Sequence, residues 1–237
     1  MKLYKPFLFL IIILSIAGII AGAANGHDER FISYTAEPES LSMFHKNKAG
    51  KNFGSIENLK QWLLGKNKKL SFAMNGGMYK PDHTPQGLYI ENGRLLSPLD
   101  TLSGNGNFYL KPNGVFYITT KNRADICKTP DFKNGNTLKY ATQSGPMLIS
   151  RGQMHPAFKR GSANLQIRNG VGILPDGNVH FAMSKEPINF YDFAAYFKNM
   201  GCKNALYLDG FVSRTYLPEE NWLQTDGNFG VIIAVTQ

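Results

Sequence analysis

Apolar and polar positions alternate along this chain in short runs, and two stretches carry the wider spacing of a helix. Residues 31–34 predict an early strand. From Ser55 onward, Ile56, Leu59, Leu63 and Leu64 fall on one face, so residues 55–64 predict a short helix capped by Ser55 and ended by Gly65 and Asn67. Residues 70–74 form an apolar strand running into Asn75-Gly76-Gly77. Glu91-Asn92-Gly93-Arg94 turns the chain after residues 87–90. Lys111-Pro112-Asn113-Gly114 reverses it between 107–110 and 115–118, and Pro175-Asp176-Gly177-Asn178 between 167–174 and 179–183. Residues 138–141 lead into Gln143-Ser144-Gly145-Pro146 and then the apolar 147–149. A second helix is predicted over 191–200, capped by Asn189, with Phe193, Ala194, Phe197 and Met200 inward and Gly201 as its stop. Strands at 205–208 and 230–235 complete the chain. The predicted architecture is α+β: a single domain over residues 30–237, with a mixed, mostly antiparallel central sheet and a few covering helices.

The first residues break this pattern. Lys2 and Lys5 precede an apolar run over 7–20, and Ala21-Gly22-Ala23 follows as a small-x-small cleavage pattern. Residues 1–24 therefore read as a signal peptide, or as an uncleaved anchor that would keep the domain near a membrane. Either way the domain is expected outside the cytoplasm, periplasmic or secreted. The chain carries +9 overall, and removing Lys2 and Lys5 leaves 24 basic against 17 acidic residues, or +7. An exported basic surface favours anionic partners such as phosphorylated glycans, although the same charge also serves plain solubility. Nucleic acid is not expected, because the lysines are scattered and Asn67 interrupts the densest group, Lys66, Lys68 and Lys69. Cys127 and Cys202 read as two unpaired thiols, although export would permit a disulfide. His27, His45, His83, His155 and His180 are dispersed, so neither a metal nor another cofactor is predicted.

Candidate chemistry lies at four places where an apolar strand ends in a polar glycine turn. They are Asn75-Gly76-Gly77, Gln143-Ser144-Gly145, Arg168-Asn169-Gly170, and Asp209-Gly210 with Ser213 and Arg214. Glycine lets a main chain approach a ligand closely. Arg168 lies between apolar Ile167 and Val171, and a buried guanidinium needs an anion. That anion is either Asp209, in a structural ion pair, or a substrate phosphate. Asp209 either faces a cleft, as an acid–base group would, or caps its own turn.

These turns carry a resemblance. Asn75-Gly76-Gly77-Met78-Tyr79, Pro85-Gln86-Gly87-Leu88, Gln143 through Leu148, Ser162 with Asn164, Arg168 through Gly172, and Asp209-Gly210 with Ser213 resemble the phosphodiester glycosidase family. The likeness spans roughly residues 30–237. It implies a hydrolase that cleaves N-acetylglucosamine-1-phosphodiesters at the sugar, with a sugar-1-phosphodiester or phosphorylated glycan as partner. One departure is that Phe211 follows Asp209-Gly210 where many relatives carry a second glycine, and Arg214 follows Ser213. On this reading Asp209 stabilises an oxocarbenium-like centre or activates water, while Arg168 and the N–H groups of Gly76 and Gly77 hold phosphate. Asn75, Gln143 and Asn169 orient sugar hydroxyls, and Ser144, Gly145, Gly210 and Ser213 line the site. Glu186, or else Asp100, is the candidate second carboxylate, although Glu186 before Pro187 also reads as an exposed loop acid. The competing readings are a glycan-binding module without turnover and a metal-dependent phosphodiesterase that cuts at phosphorus.

Overall fold

The computed structural model describes Met1, residues 28–210 and residues 212–237. Apart from Met1, the segment read as a signal or anchor lies outside the described residues, as does Phe211. No helix among the described residues is long and apolar enough to cross a membrane.

The strands, in chain order, are β1 (Phe31–Ala36), β2 (Leu41–Phe44), β3 (Leu70–Asn75), β4 (Tyr89–Glu91), β5 (Arg94–Ser97), β6 (Gly114–Thr119), β7 (Ala124–Lys128) and β8 (Leu138–Ser144). They continue with β9 (Met147–Ser150), β10 (Gln153–Met154), β11 (Asn169–Ile173), β12 (Val179–Ser184), β13 (Ala205–Asp209), β14 (Thr215–Leu217), β15 (Trp222–Leu223) and β16 (Ile232–Thr236). Helix α1 (Ile56–Leu64) follows β2, and α2 (Phe190–Asn199) follows β12.

The α+β class holds, and the sheet expectation sharpens into three sheets. Their strand orders are β1-β12-β11-β13-β9-β10, β15-β14-β3-β16-β2 and β5-β4-β8-β6-β7. The pairings within them run antiparallel. Each sheet turns one face to a shared core, and strand alternation decides which side chains enter it. On β16, Ile233 and Val235 face that core while Ile232 and Ala234 face α1. On β6, Phe116 and Ile118 point inward, and Val115 packs with Leu88, Ile90 and Leu138 on the opposite face. Phe193, Ala194 and Phe197 of α2 seal the outer side of the first sheet.

Both predicted caps form: Ser55 Oγ accepts the Asn58 N–H (3.2 Å) and Asn189 Oδ1 accepts the Asp192 N–H (2.9 Å). Leu64 is the exception on α1, half exposed at the last turn. Residues 107–110 form a 3-10 turn instead of a strand. There Asn113 Nδ2 donates to the Phe108 carbonyl (3.0 Å), a local bond that competes with a ladder. Strand β6 pairs with β7, through a turn in which Asn122 adopts φ 55°. Cys127 and Cys202 are both free thiols.

Candidate active site

Three strand ends from two sheets meet at one place. Asn169 opens β11 and stands opposite Asp209, the last residue of β13. Asn75 closes β3 in the second sheet. Asn169 Nδ2 donates to the carbonyl and to Oδ1 of Asn75 (2.9 and 3.0 Å), and Asn169 Oδ1 accepts the Asp209 N–H (2.8 Å). Asn75 Oδ1 also accepts the Arg214 N–H (2.8 Å). The two asparagines are 1% and 0% exposed, so this network is the polar seam between the sheets. Asn75 Nδ2 is a buried donor without a partner among the described residues. Such a donor costs on the order of 1–3 kcal/mol when a protein leaves it unmade.

Asp209 lies at the margin of this seam, 8% exposed. Ser213, also buried, donates its hydroxyl to the Asp209 carbonyl (2.6 Å) and so fixes the turn behind the carboxylate. Two phenols feel the Asp209 charge. Burial first, and the carboxylate second, raise the Tyr79 hydroxyl above its ordinary value. Burial also pushes Tyr207 well up, with Asp209 adding to the shift and Arg168 opposing it. Both phenols therefore keep their protons at neutral pH. The Tyr79 hydroxyl donates to the Asn228 carbonyl.

Arg168 requires a correction. It is 0% exposed, so it does not grip a ligand from the surface. Its Nε donates to the Ile188 carbonyl (2.7 Å), Nη2 to the carbonyl and Oδ1 of Asn164 (3.0 and 3.2 Å), and Nη1 to the Tyr207 hydroxyl (3.4 Å). The guanidinium lies 3.6 Å from the Phe190 ring centre. Among the described residues it makes no ion pair, with Asp209 or any other carboxylate. Backbone carbonyls, the Asn164 amide, the Tyr207 hydroxyl and a ring face surround it instead of the Asp209 carboxylate. Burial lowers its pKa, but arginine remains charged. The result is a buried cation bonded to Tyr207, a phenol that also feels the Asp209 charge. A Cβ on Gly210 would fall on the Tyr207 hydroxyl, so glycine is what admits this phenol beneath the Asp209 turn.

Gln143, Ser144, Gly145, Gly76 and Gly77 also depart from expectation. Gln143 Oε1 accepts the N–H groups of Leu88 (3.0 Å) and Asp100 (2.9 Å), and Nε2 donates to the Asp100 carbonyl (2.6 Å) and the Thr129 hydroxyl (3.2 Å). Its amide ties three loops together and has no donor left for a sugar. Ser144 donates to the Leu208 carbonyl (2.7 Å), bracing β13 just before Asp209. Gly145 packs against Asn113 and the Phe108 carbonyl. The Gly76 N–H is taken by the Val231 carbonyl (2.8 Å), and a Cβ on Gly77 would come within 2.6 Å of the Gln143 carbonyl. These glycines serve close chain packing, and the Gly76 N–H is engaged within the protein. Glu186 is exposed and lines a cleft of about 430 Å³ with Glu29, Arg30 and Lys185, outside the network. Asp100 accepts from the Tyr109 hydroxyl (2.9 Å) and belongs to the Gln143 strap.

Sequence reasoning missed Tyr207, which reads as one more apolar residue in the 205–208 strand. It also assigned no role to Arg214, whose N–H bonds Asn75 Oδ1 and whose Nε pairs with Asp226 (2.7 Å). Among the described residues no three His, Cys, Asp or Glu side chains gather as a metal site.

Comparison with known proteins follows the same outline. The phosphodiester glycosidase family model matches residues 68–233. The uncharacterized protein YigE of Escherichia coli K12 is 38% identical over 188 residues, 78% of this chain and 73% of that protein. Two solved structures share the fold. The zebrafish N-acetylglucosamine-1-phosphodiester alpha-N-acetylglucosaminidase catalytic domain, auto-inhibited by its pro-peptide, matches at TM-score 0.59 and 14% identity, over 89% of this chain and 84% of its own. A hypothetical protein from Synechocystis matches at TM-score 0.54 and 14% identity, over 87% of this chain and 59% of its own. With more than half of its length matched by the family model and a relative at 38% identity, the chain belongs to the phosphodiester glycosidase family.

Proposed function

We propose that the protein is an exported hydrolase that cleaves the glycosidic bond of a sugar-1-phosphodiester, N-acetylglucosamine-like, in a cell-envelope or extracellular glycan. The observation that carries this reading is the Asn75–Asn169–Asp209 network: a carboxylate at a margin, backed by a buried amide donor without a partner among the described residues. Family membership and the activity named for the zebrafish structure support the same chemistry. Export rests on the apolar run at 7–20.

The steps follow from charge. Breaking the bond between the anomeric carbon and oxygen leaves a phosphomonoester, already a stable anion that needs little proton transfer. One carboxylate in the network is therefore compatible with the reaction, where an ordinary glycosidase wants two. Asp209 supports positive charge at the sugar carbon or takes the proton from the attacking water. Asn75 Nδ2 gains its missing acceptor from a sugar oxygen, and the buried charge of Arg168 favours the departing anion through a low-dielectric path.

The test is a panel of sugar-1-phosphodiesters incubated in ¹⁸O water, with products read by mass spectrometry. Label in the free sugar supports the proposal. Label in the phosphate, with loss of activity on chelation, would instead support a metal-dependent phosphodiesterase. Binding of the diester without turnover would leave a glycan-binding module.

A further inference from the structure

The pair Ser162 and Asn164 belongs to the family-like pattern, yet the reading above gives it no role. In the structure these residues stand beside a second cavity, of about 190 Å³, between the loop 157–164 and the start of α2. Its lining includes Lys159, Ser162, Asn164, Phe158, Phe190 and Tyr191. We propose that this cavity is an anion subsite that takes the phosphoryl group of the substrate. The inference rests on the phosphodiester reading and names where the charged group goes.

Four observations support it. First, the floor is cationic. Asn164 and Phe190, both lining the cavity, are the groups that hold the Arg168 guanidinium. Arg168 has no carboxylate within ion-pair distance among the described residues, so its charge is not paired directly. Four of its N–H donors are engaged, which leaves one Nη1 hydrogen of the five. Second, Lys159 is the charged residue of the lining, and no carboxylate shares the wall with it. Third, the Ser162 hydroxyl accepts the Asn164 N–H (3.3 Å), which leaves its own hydrogen to donate. Fourth, Phe190 and Tyr191 open α2, a helix of 10 residues, so their N–H groups precede the helical ladder and face the positive end of its dipole. The acid of that first turn, Asp192, is occupied by Asn189 Nδ2 (2.7 Å).

Aromatic rings stiffen the wall: Phe158 and Phe190 stack at 4.8 Å and 5°, and Phe158 stacks in turn on His155 at 4.7 Å. A rigid wall beside a cationic floor suits a compact anion such as a phosphoryl group. A packed chain of groups links the cavity wall to the Asp209 turn: Phe190 meets the Tyr207 ring edge-on at 4.8 Å, and Arg168 bonds the Tyr207 hydroxyl that lies under Gly210.

The test uses calorimetric titration of the full chain with N-acetylglucosamine-1-phosphate, inorganic phosphate and N-acetylglucosamine at low ionic strength. The expected result is binding of the two phosphates in preference to the neutral sugar, weakening as salt rises. Lys159→Ala with Ser162→Ala is expected to weaken phosphate binding about tenfold. Both positions are solvent-accessible, so folding is not at stake. Lys198→Ala, at the far end of α2, is expected to change nothing. Phosphate binding indifferent to Lys159 and Ser162, or no preference for phosphate, overturns the subsite even if diesters are hydrolysed. Lys159-dependent phosphate binding without any hydrolysis keeps the subsite and rejects the glycosidase reading.

Discussion

Asn169→Ala cuts the seam at its centre. The side chain makes three hydrogen bonds, two to Asn75 and one from the Asp209 N–H, and it is fully buried. Truncation leaves the Asp209 N–H unpaired in a place water does not reach, at about 1–3 kcal/mol. The two lost bonds to Asn75 add roughly 0.5–1.5 kcal/mol each. The expected loss of stability is about 4 kcal/mol. For a domain of this size that is a fall in Tm of about 10 °C. Urea denaturation of wild type and variant, followed by circular dichroism, reads the difference as a lower midpoint at unchanged slope. A loss below about 1 kcal/mol would mean that the bonds across the two sheets contribute nothing net, and the description of the seam would be wrong.

Three further outcomes follow from the same geometry. His180 is buried between the Thr35 hydroxyl and the Tyr196 hydroxyl, and burial lowers its pKa from 6.5 to about 4. The unfolded chain therefore binds the extra proton first, and stability should fall by roughly 3 kcal/mol as pH drops from 6.5 to 4, then level off; denaturation midpoints across pH, flattened in His180→Leu, check it. Gly210→Ala drives a methyl into the Tyr207 hydroxyl and should cost about 2 kcal/mol, part of which Tyr207→Phe restores; a double-mutant cycle showing no coupling would contradict the packing. Glu186→Gln, at an exposed loop position, should leave stability within about 0.5 kcal/mol and turnover within about twofold, and a large loss of turnover would return Glu186 to the site.

What could be read from the chain was local. Ser55 and Asn189 announce their helices because a cap acts within three residues, and the Asp176-Gly177 turn declares its hairpin in the same way. Sheet partition was not legible. Strand β3 lies between β14 and β16, elements separated from it by more than a hundred residues, and no periodicity encodes such pairing. Among site residues, Asn75, Asn169, Asp209 and Ser213 were brought together as the glycine turns implied. Arg168 and Gln143 were misread for one reason. A polar side chain at a strand end looks alike whether it faces a ligand or straps loops, and what decides it is the chain that covers it. Asn164 and Phe190 cover Arg168, while Leu88, Asp100 and Thr129 surround Gln143.

The central claim is that Asp209 acts at a sugar carbon bonded to phosphate. Hydrolysis of an N-acetylglucosamine-1-phosphodiester by the wild-type chain and by Asp209→Asn, at matched folded fraction, measures it most directly. The account predicts turnover by the wild type and a drop of about 10³-fold in the variant. Equal turnover by the two would contradict it.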